Sequence, residues 1–162
     1  QPWHFVAISD PARKSRIRAA AEAEERAFYE GKAGAEWLEA LAPLGTDPSK
    51  PFLEDAPWLI AVFGARRSAS ADGVSRKNYY VPESVGIATG FLLAALHNTG
   101  LVSLTHTPNP MKFLNDACDR PDSEKAVMII AAGYPAADAK VPSVAKIKKP
   151  LSQIMSVVSP KE

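Results

Sequence analysis

Pro57 is followed by six residues, Trp58 to Phe63, without one polar side chain. Alternate residues of a strand face opposite sides, so a strand of this composition has to be covered on both faces. Trp3-His4-Phe5-Val6-Ala7-Ile8 also carries apolar residues on both faces, as expected of a covered, central strand, and Ala126 to Ala132 forms a third apolar run. The cover has to come from helices. Pro11 to about Glu30 is rich in Ala, Glu, Arg and Lys and reads as a helix, with Asp10 to cap it and Pro11 where a missing N–H costs nothing. A second helix from about Pro82 to Asn98 contains the apolar stretch Val85 to Leu96, too short for a membrane span, and reads as a buried core helix.

Gly31 and Gly34 end the first helix, and a shorter amphipathic piece follows over Ala35 to Leu44. Arg66 to Asn78 is polar and reads as a surface connection. Leu101 to Thr107 reads as a strand stopped by Pro108, with a short helix from about Pro110 to Asp119 before the last strand. From Tyr134 the chain holds Pro135, Pro142 and Pro150 among lysines, with too few clustered apolar residues to fold on itself. Long, irregular connections between alternating strands and helices indicate a mixed α+β layer architecture. One domain over 1–162 is expected, with an extended tail over 134–162. The chain opens directly into a strand at Gln1, so further residues upstream are expected.

Nineteen Lys and Arg against eighteen Asp and Glu leave a net charge of +1. That balance excludes a chain built mainly to neutralise nucleic-acid phosphates. Cys118 is the single cysteine and points to a reducing, cytoplasmic compartment, although a membrane anchor upstream of Gln1 is not excluded by the sequence. There is no G-x-G-x-x-G, no P-loop, no H-E-x-x-H, no C-x-x-C and no G-x-S-x-G. His4, His97 and His106 lack acidic neighbours at ligand spacing, so no metal is expected and each reads as a histidine donating one hydrogen bond in or near the core. Cys118 reads as a small apolar filler.

Three features remain. Glu25 and Tyr29 are four apart and share one helix face; by themselves they read as a solvated face in a segment already full of Glu. Lys50 lies in a loop-like stretch and by itself reads as a surface lysine. Thr105-His106-Thr107-Pro108 ends a strand, where threonine is common.

Taken in order, Pro2-Trp3-His4-Phe5-Val6, Glu25-Arg26-Ala27-Phe28-Tyr29, Lys50, Asp55-Ala56-Pro57, Asn78-Tyr79-Tyr80, Glu83 to Ala88, Leu92 to Asn98, Thr105 to Pro108, Gly133-Tyr134-Pro135 and Lys149-Pro150-Leu151 resemble the flavin-dependent iodotyrosine deiodinases of the nitroreductase superfamily. The strand and helix cores alone match the superfamily. Glu-x-x-x-Tyr with a lysine at the right distance narrows the resemblance to the halotyrosine dehalogenases.

The resemblance implies a nitroreductase-like mixed sheet flanked by helices, assembled as a domain-swapped homodimer that holds FMN. It implies that Glu25, Tyr29 and Lys50 bind the amino-acid end of a halotyrosine, on an active-site lid over 20–54. The residue types suit that task, because a carboxylate receives an ammonium and a lysine a carboxylate. It implies that Thr107 is the flavin N5 partner and catalytic residue, with Thr105 and His106 alongside the ring and Lys148 facing the phosphate. An NAD(P)H-linked reductase, not identified by the sequence, would supply electrons. Two departures from the family stand out. Lys148 replaces an arginine, giving charge without a bidentate fork, and His106 stands where the family has a small polar residue. The upstream phosphate-binding arginines and a Ser-Gly-Ala turn are not in the sequence. A general nitroreductase acting on nitroaromatics or quinones, and a flavin-binding protein without turnover, are the competing readings.

Overall fold

The computed structural model describes residues 1–31, 33–69 and 72–160. Lys32 in the expected lid, Ser70 and Ala71 in the polar connection, and Lys161 and Glu162 in the tail lie outside the described residues. Two compact units are distinguished, one of residues 1–33 and 47–136, the other of 34–46 and 137–162.

The first unit holds strands β1 (Trp3–Ile8), β2 (Trp58–Ala65), β5 (Val102–His106) and β6 (Glu124–Gly133) in one sheet, ordered β1-β2-β6-β5. Its three ladders are all antiparallel, so the helix-flanked α+β sheet forms as expected but is not mixed within these residues. Side-chain alternation along β2 divides the core. Leu59, Ala61 and Phe63 face α1 (Pro11–Gly31), α3 (Phe52–Asp55) and α5 (Phe113–Ala117), meeting Ile17, Ala21, Leu53 and Leu114. Ile60 and Val62 face α4 (Val81–Asn98), meeting Val85 and Leu93. This is the two-sided covering that an apolar β2 demands. Gly133 permits it at one corner: a Cβ there would stand 2.7 Å from the Pro57 ring.

Helix ends follow the sequence signals. Asp10 Oδ1 accepts a hydrogen bond from Arg13 N at 2.9 Å, capping α1. Beyond α4, Gly100 adopts a left-handed φ of 80° while Leu101 N donates to Leu96 O and Gly100 N to His97 O, a Schellman closure.

Three expectations are corrected. β1 is an edge strand and not a central one, since only β2 pairs with it among the described residues. The polar connection contains a hairpin, β3 (Arg67–Ala69) with β4 (Ser75–Lys77), tied at its base by Asn78 Nδ2 donating to Ala65 O and Ser68 Oγ. Its exposed, charged strands carry no apolar alternation, which is why the pattern did not reveal it. Finally, α4 is only half buried: Val85 and Thr89 are enclosed, whereas Ile87 is 63% and Phe91 75% exposed. The sheet covers one side of this apolar helix, and among the described residues of the first unit Ile87 and Phe91 stay exposed on the other.

The second unit contains α2 (Ala35–Leu41), the tight helical turn Ala42–Leu44, and two further turns, Ser143–Lys146 and Leu151–Gln153. The first and second of these turns pack together. No helix among the described residues is long and apolar enough to cross a membrane.

Candidate active site

The C-terminal third of α1 brings Glu25 and Tyr29 onto one face, and the segment that enters α3 returns Lys50 to them. Lys50 Nζ lies 3.4 Å from Glu25 Oε2 and 6.0 Å from the centroid of the Tyr29 ring. Lys50 is only 6% exposed, which overturns its reading as a surface lysine. A buried ammonium requires partners, and besides Glu25 its Nζ donates to the Asp47 carbonyl. Its backbone is held as well: Lys50 N donates to Glu22 Oε1 at 2.8 Å, and Lys50 O accepts from Leu53 N at 3.0 Å.

Glu22 is a residue the sequence reading missed. Its carboxylate also accepts from Arg18 Nε at 2.7 Å, and Arg18 with the Lys50 N–H holds it below the usual carboxylate range. Spacing of four between Arg18 and Glu22 was the available signal. It was lost in a segment crowded with Glu and Arg.

The two threonines expected at a flavin lie at and just past the end of β5. Thr105 is exposed on the strand, and Thr107, just past its end, is exposed too, while the intervening His106 turns inward. His106 packs edge-on against Phe52, ring centroids 5.7 Å apart. Burial, and secondly the charge of Lys50, push its pKa down to about 4. Its Nε2 is buried with no hydrogen-bond partner among the described atoms.

Thr107 opens onto a cleft of about 560 Å³ whose wall includes Arg66, Asn109, Lys112 and Lys125 together with the carboxylates of Asp122 and Glu124. Arg66 and Lys125 also border a more apolar groove of about 720 Å³ along α4, lined by Val85, Gly86, Thr89 and Leu93. Thr107 thus places one hydroxyl at a cleft of mixed charge, and the cations Arg66 and Lys125 border both the cleft and the apolar groove. Lys148 belongs to the second unit, where its Nζ donates to Ala145 O at 2.8 Å. Cys118 is buried in the core with its thiol pushed up to about 11, mainly by desolvation, in keeping with a packing role. Among the described residues no group of three His, Cys, Asp or Glu side chains converges as a metal site.

A helix-covered α+β sheet with a threonine-bearing strand end defines a class, and the sequence pattern of the Nitroreductase family matches residues 1–134. The chain belongs to that family, on its iodotyrosine deiodinase branch. It is 55% identical over 149 residues to the iodotyrosine deiodinase of Haliscomenobacter hydrossis, a match covering 92% of this chain and 67% of that protein. It is 42% identical to the iodotyrosine deiodinase of Nematostella vectensis, covering 96% of this chain. The chain spans only 58% of that relative's length. The crystal structure of oxidized iodotyrosine deiodinase bound to FMN and 3-iodo-L-tyrosine superposes with a TM-score of 0.76 at 30% identity, over 99% of this chain and 77% of the other.

Proposed function

We propose that the chain is part of an FMN-dependent oxidoreductase that removes halide reductively from halotyrosines. The observation that carries this reading is the pairing of buried Lys50 with the partly buried Glu25, with Tyr29 beside them. A halotyrosine is a zwitterion, and the pair offers one charge for each of its ends. Its ammonium replaces Lys50 at Glu25, and its carboxylate replaces Glu25 at Lys50, so ionic contacts are exchanged and not simply lost. Tyr29 supplies a neutral hydrogen bond and an apolar wall. A nitroaromatic or quinone would need neither charge.

The outward-facing Thr105 and Thr107 would hold the flavin ring, Thr107 donating its hydroxyl to N5, with His106 behind them and Lys148 supplying a cation for the phosphate. FMN, when bound, supplies two electrons. With one proton these replace the halogen on the ring: the carbon–halogen bond breaks, halide leaves with the bonding pair, and tyrosine remains. The 20–54 segment acts as a lid over this reaction, and its closure excludes water and strengthens the contacts at Glu25 and Lys50.

The working form in this reading is a homodimer. Its support is the apolar α4 face exposed in the single chain, and the tail over 134–162 reaches across to the partner. Electrons come from an NAD(P)H-linked reductase. A cytoplasmic setting agrees with the one buried thiol.

The test is anaerobic: the flavin is reduced with dithionite, diiodotyrosine is added, and iodide and flavin reoxidation are followed together. Release of about one iodide per flavin reoxidised is expected. Reoxidation by nitroaromatics alone, with no iodide formed, would favour a general nitroreductase.

A further inference from the structure

We infer that Glu22 is a positioning residue: its carboxylate fixes where Lys50 stands relative to Glu25, and so governs affinity for the zwitterionic end of the substrate without touching the substrate. This deepens the proposed function and rests on it.

The argument begins with spacing. Lys14, Arg18, Glu22 and Arg26 recur every four residues along one side of α1. Lys14 Nζ donates to Glu54 O and Ala56 O, both at 2.8 Å, fastening the end of α3. Arg18 Nη1 reaches Glu54 Oε2 at 2.6 Å and its Nε reaches Glu22 Oε1 at 2.7 Å. Ser15 and then Arg18 hold the Glu54 carboxylate ionised below its usual range. This row docks α3 against α1, and Glu22 adds the contact to Lys50 itself.

That contact goes to the backbone N–H of Lys50 and not to its ammonium. Arg18 at 2.7 Å and Arg26 at 3.8 Å already compensate the Glu22 charge. Lys50 is thereby held through its main chain, at N by Glu22 and at O by Leu53, whose side chain is fully buried. Its ammonium can then trade Glu25 for a ligand carboxylate while the residue stays in place. Holding the backbone removes ordering cost at the moment of binding, which is the physical basis of preorganisation.

The experiment uses the FMN-loaded full chain and measures three things for wild type, Glu22→Ala and Glu22→Gln. They are Kd for 3-iodotyrosine, Kd for 2-iodophenol, and amide exchange at Lys50 by NMR. In Glu22→Ala we expect about 10-fold weaker 3-iodotyrosine binding, 2-iodophenol and FMN binding within about 2-fold, and at least 10-fold faster exchange at Lys50. Glu22→Gln keeps an oxygen for the N–H and should lose about 3-fold; it also carries the test if Glu22→Ala fails to fold. Unchanged exchange at Lys50, intact 3-iodotyrosine affinity, or equal weakening of both ligands would each overturn the inference. A wild type that binds 2-iodophenol as tightly as 3-iodotyrosine would instead refute the proposed function, and would do so before any variant is made.

Discussion

On one face of the sheet, α1 lays Lys14, Arg18, Glu22 and Glu25 against α3 and Lys50, and each of these charges meets a partner within the same chain. On the other face, α4 encloses Val85 and Thr89 against the sheet but leaves Ile87 and Phe91 in water. The first arrangement is complete. The second is an apolar helix with one side uncovered, and such a surface marks an interaction site. In the proposed function, specificity resides in the charged seam that one chain completes, and the exposed apolar side is where a second chain would dock. The two faces should fail in different ways when altered.

The largest expected effect is on α4. Ile87→Asp or Phe91→Asp would bury an uncompensated charge in the proposed interface at a cost of roughly 3–5 kcal/mol, more than 100-fold in association. Sedimentation velocity should show a dimer becoming a monomer, and an undiminished dimer would remove α4 from the interface. Next is Lys50→Ala. A charge-assisted hydrogen bond is worth about 1.5–3 kcal/mol, so halotyrosine affinity should fall about 10- to 150-fold, while halophenol binding and nitroaromatic reduction persist. If Glu25→Gln and Lys50→Ala both spare halotyrosine affinity, the charged seam is not the substrate site and the comparison collapses. Third, Thr107→Ala removes one neutral hydrogen bond worth about 0.5–1.5 kcal/mol, and should slow iodide release by about 2- to 12-fold with FMN retained. Unchanged turnover would take Thr107 out of the reaction.

The smallest effect is on stability, and it separates the charged face by pH. His106 has a pKa of about 4 in the folded chain, below the ordinary histidine value near 6.5. Between those values the unfolded chain takes up a proton that the folded chain refuses, so stability falls as pH drops from about 6.5 to about 4. Glu22, Glu54 and Asp119 have lowered pKa values, so the stability they contribute is lost only in the acid range below that of an ordinary carboxylate. Over pH 6.5 to 5 the slope of Tm should therefore shrink in His106→Asn, a replacement that does not titrate. An identical slope in the variant would mean that His106 is not held neutral against Phe52 and Lys50.

Much of this was legible from local rules. Asp10 and Pro11 set the start of α1, and Gly100 its left-handed counterpart after α4, because caps are determined by neighbours along the chain. The apolar run in β2 required two covering layers, and two are present. Glu25, Tyr29 and Lys50 could be named together only through resemblance, since nothing in a spacing of 21 residues between Tyr29 and Lys50 tells whether a chain returns on itself.

What the sequence by itself determined was the long helices α1 and α4, the strands of the main sheet and the residue types available for binding a zwitterion, because propensity, capping and alternation act over a few residues. Tertiary structure decided the rest. It made β1 an edge strand although its composition suits a centre, and it exposed half of α4 although its composition suits a core. It buried Lys50 against Glu25, turned His106 inward beside Phe52, and gave Glu22 the backbone of a residue 28 positions away. Each of these depends on which surfaces meet, and burial, charge pairing and desolvation are properties of that meeting and not of any one segment.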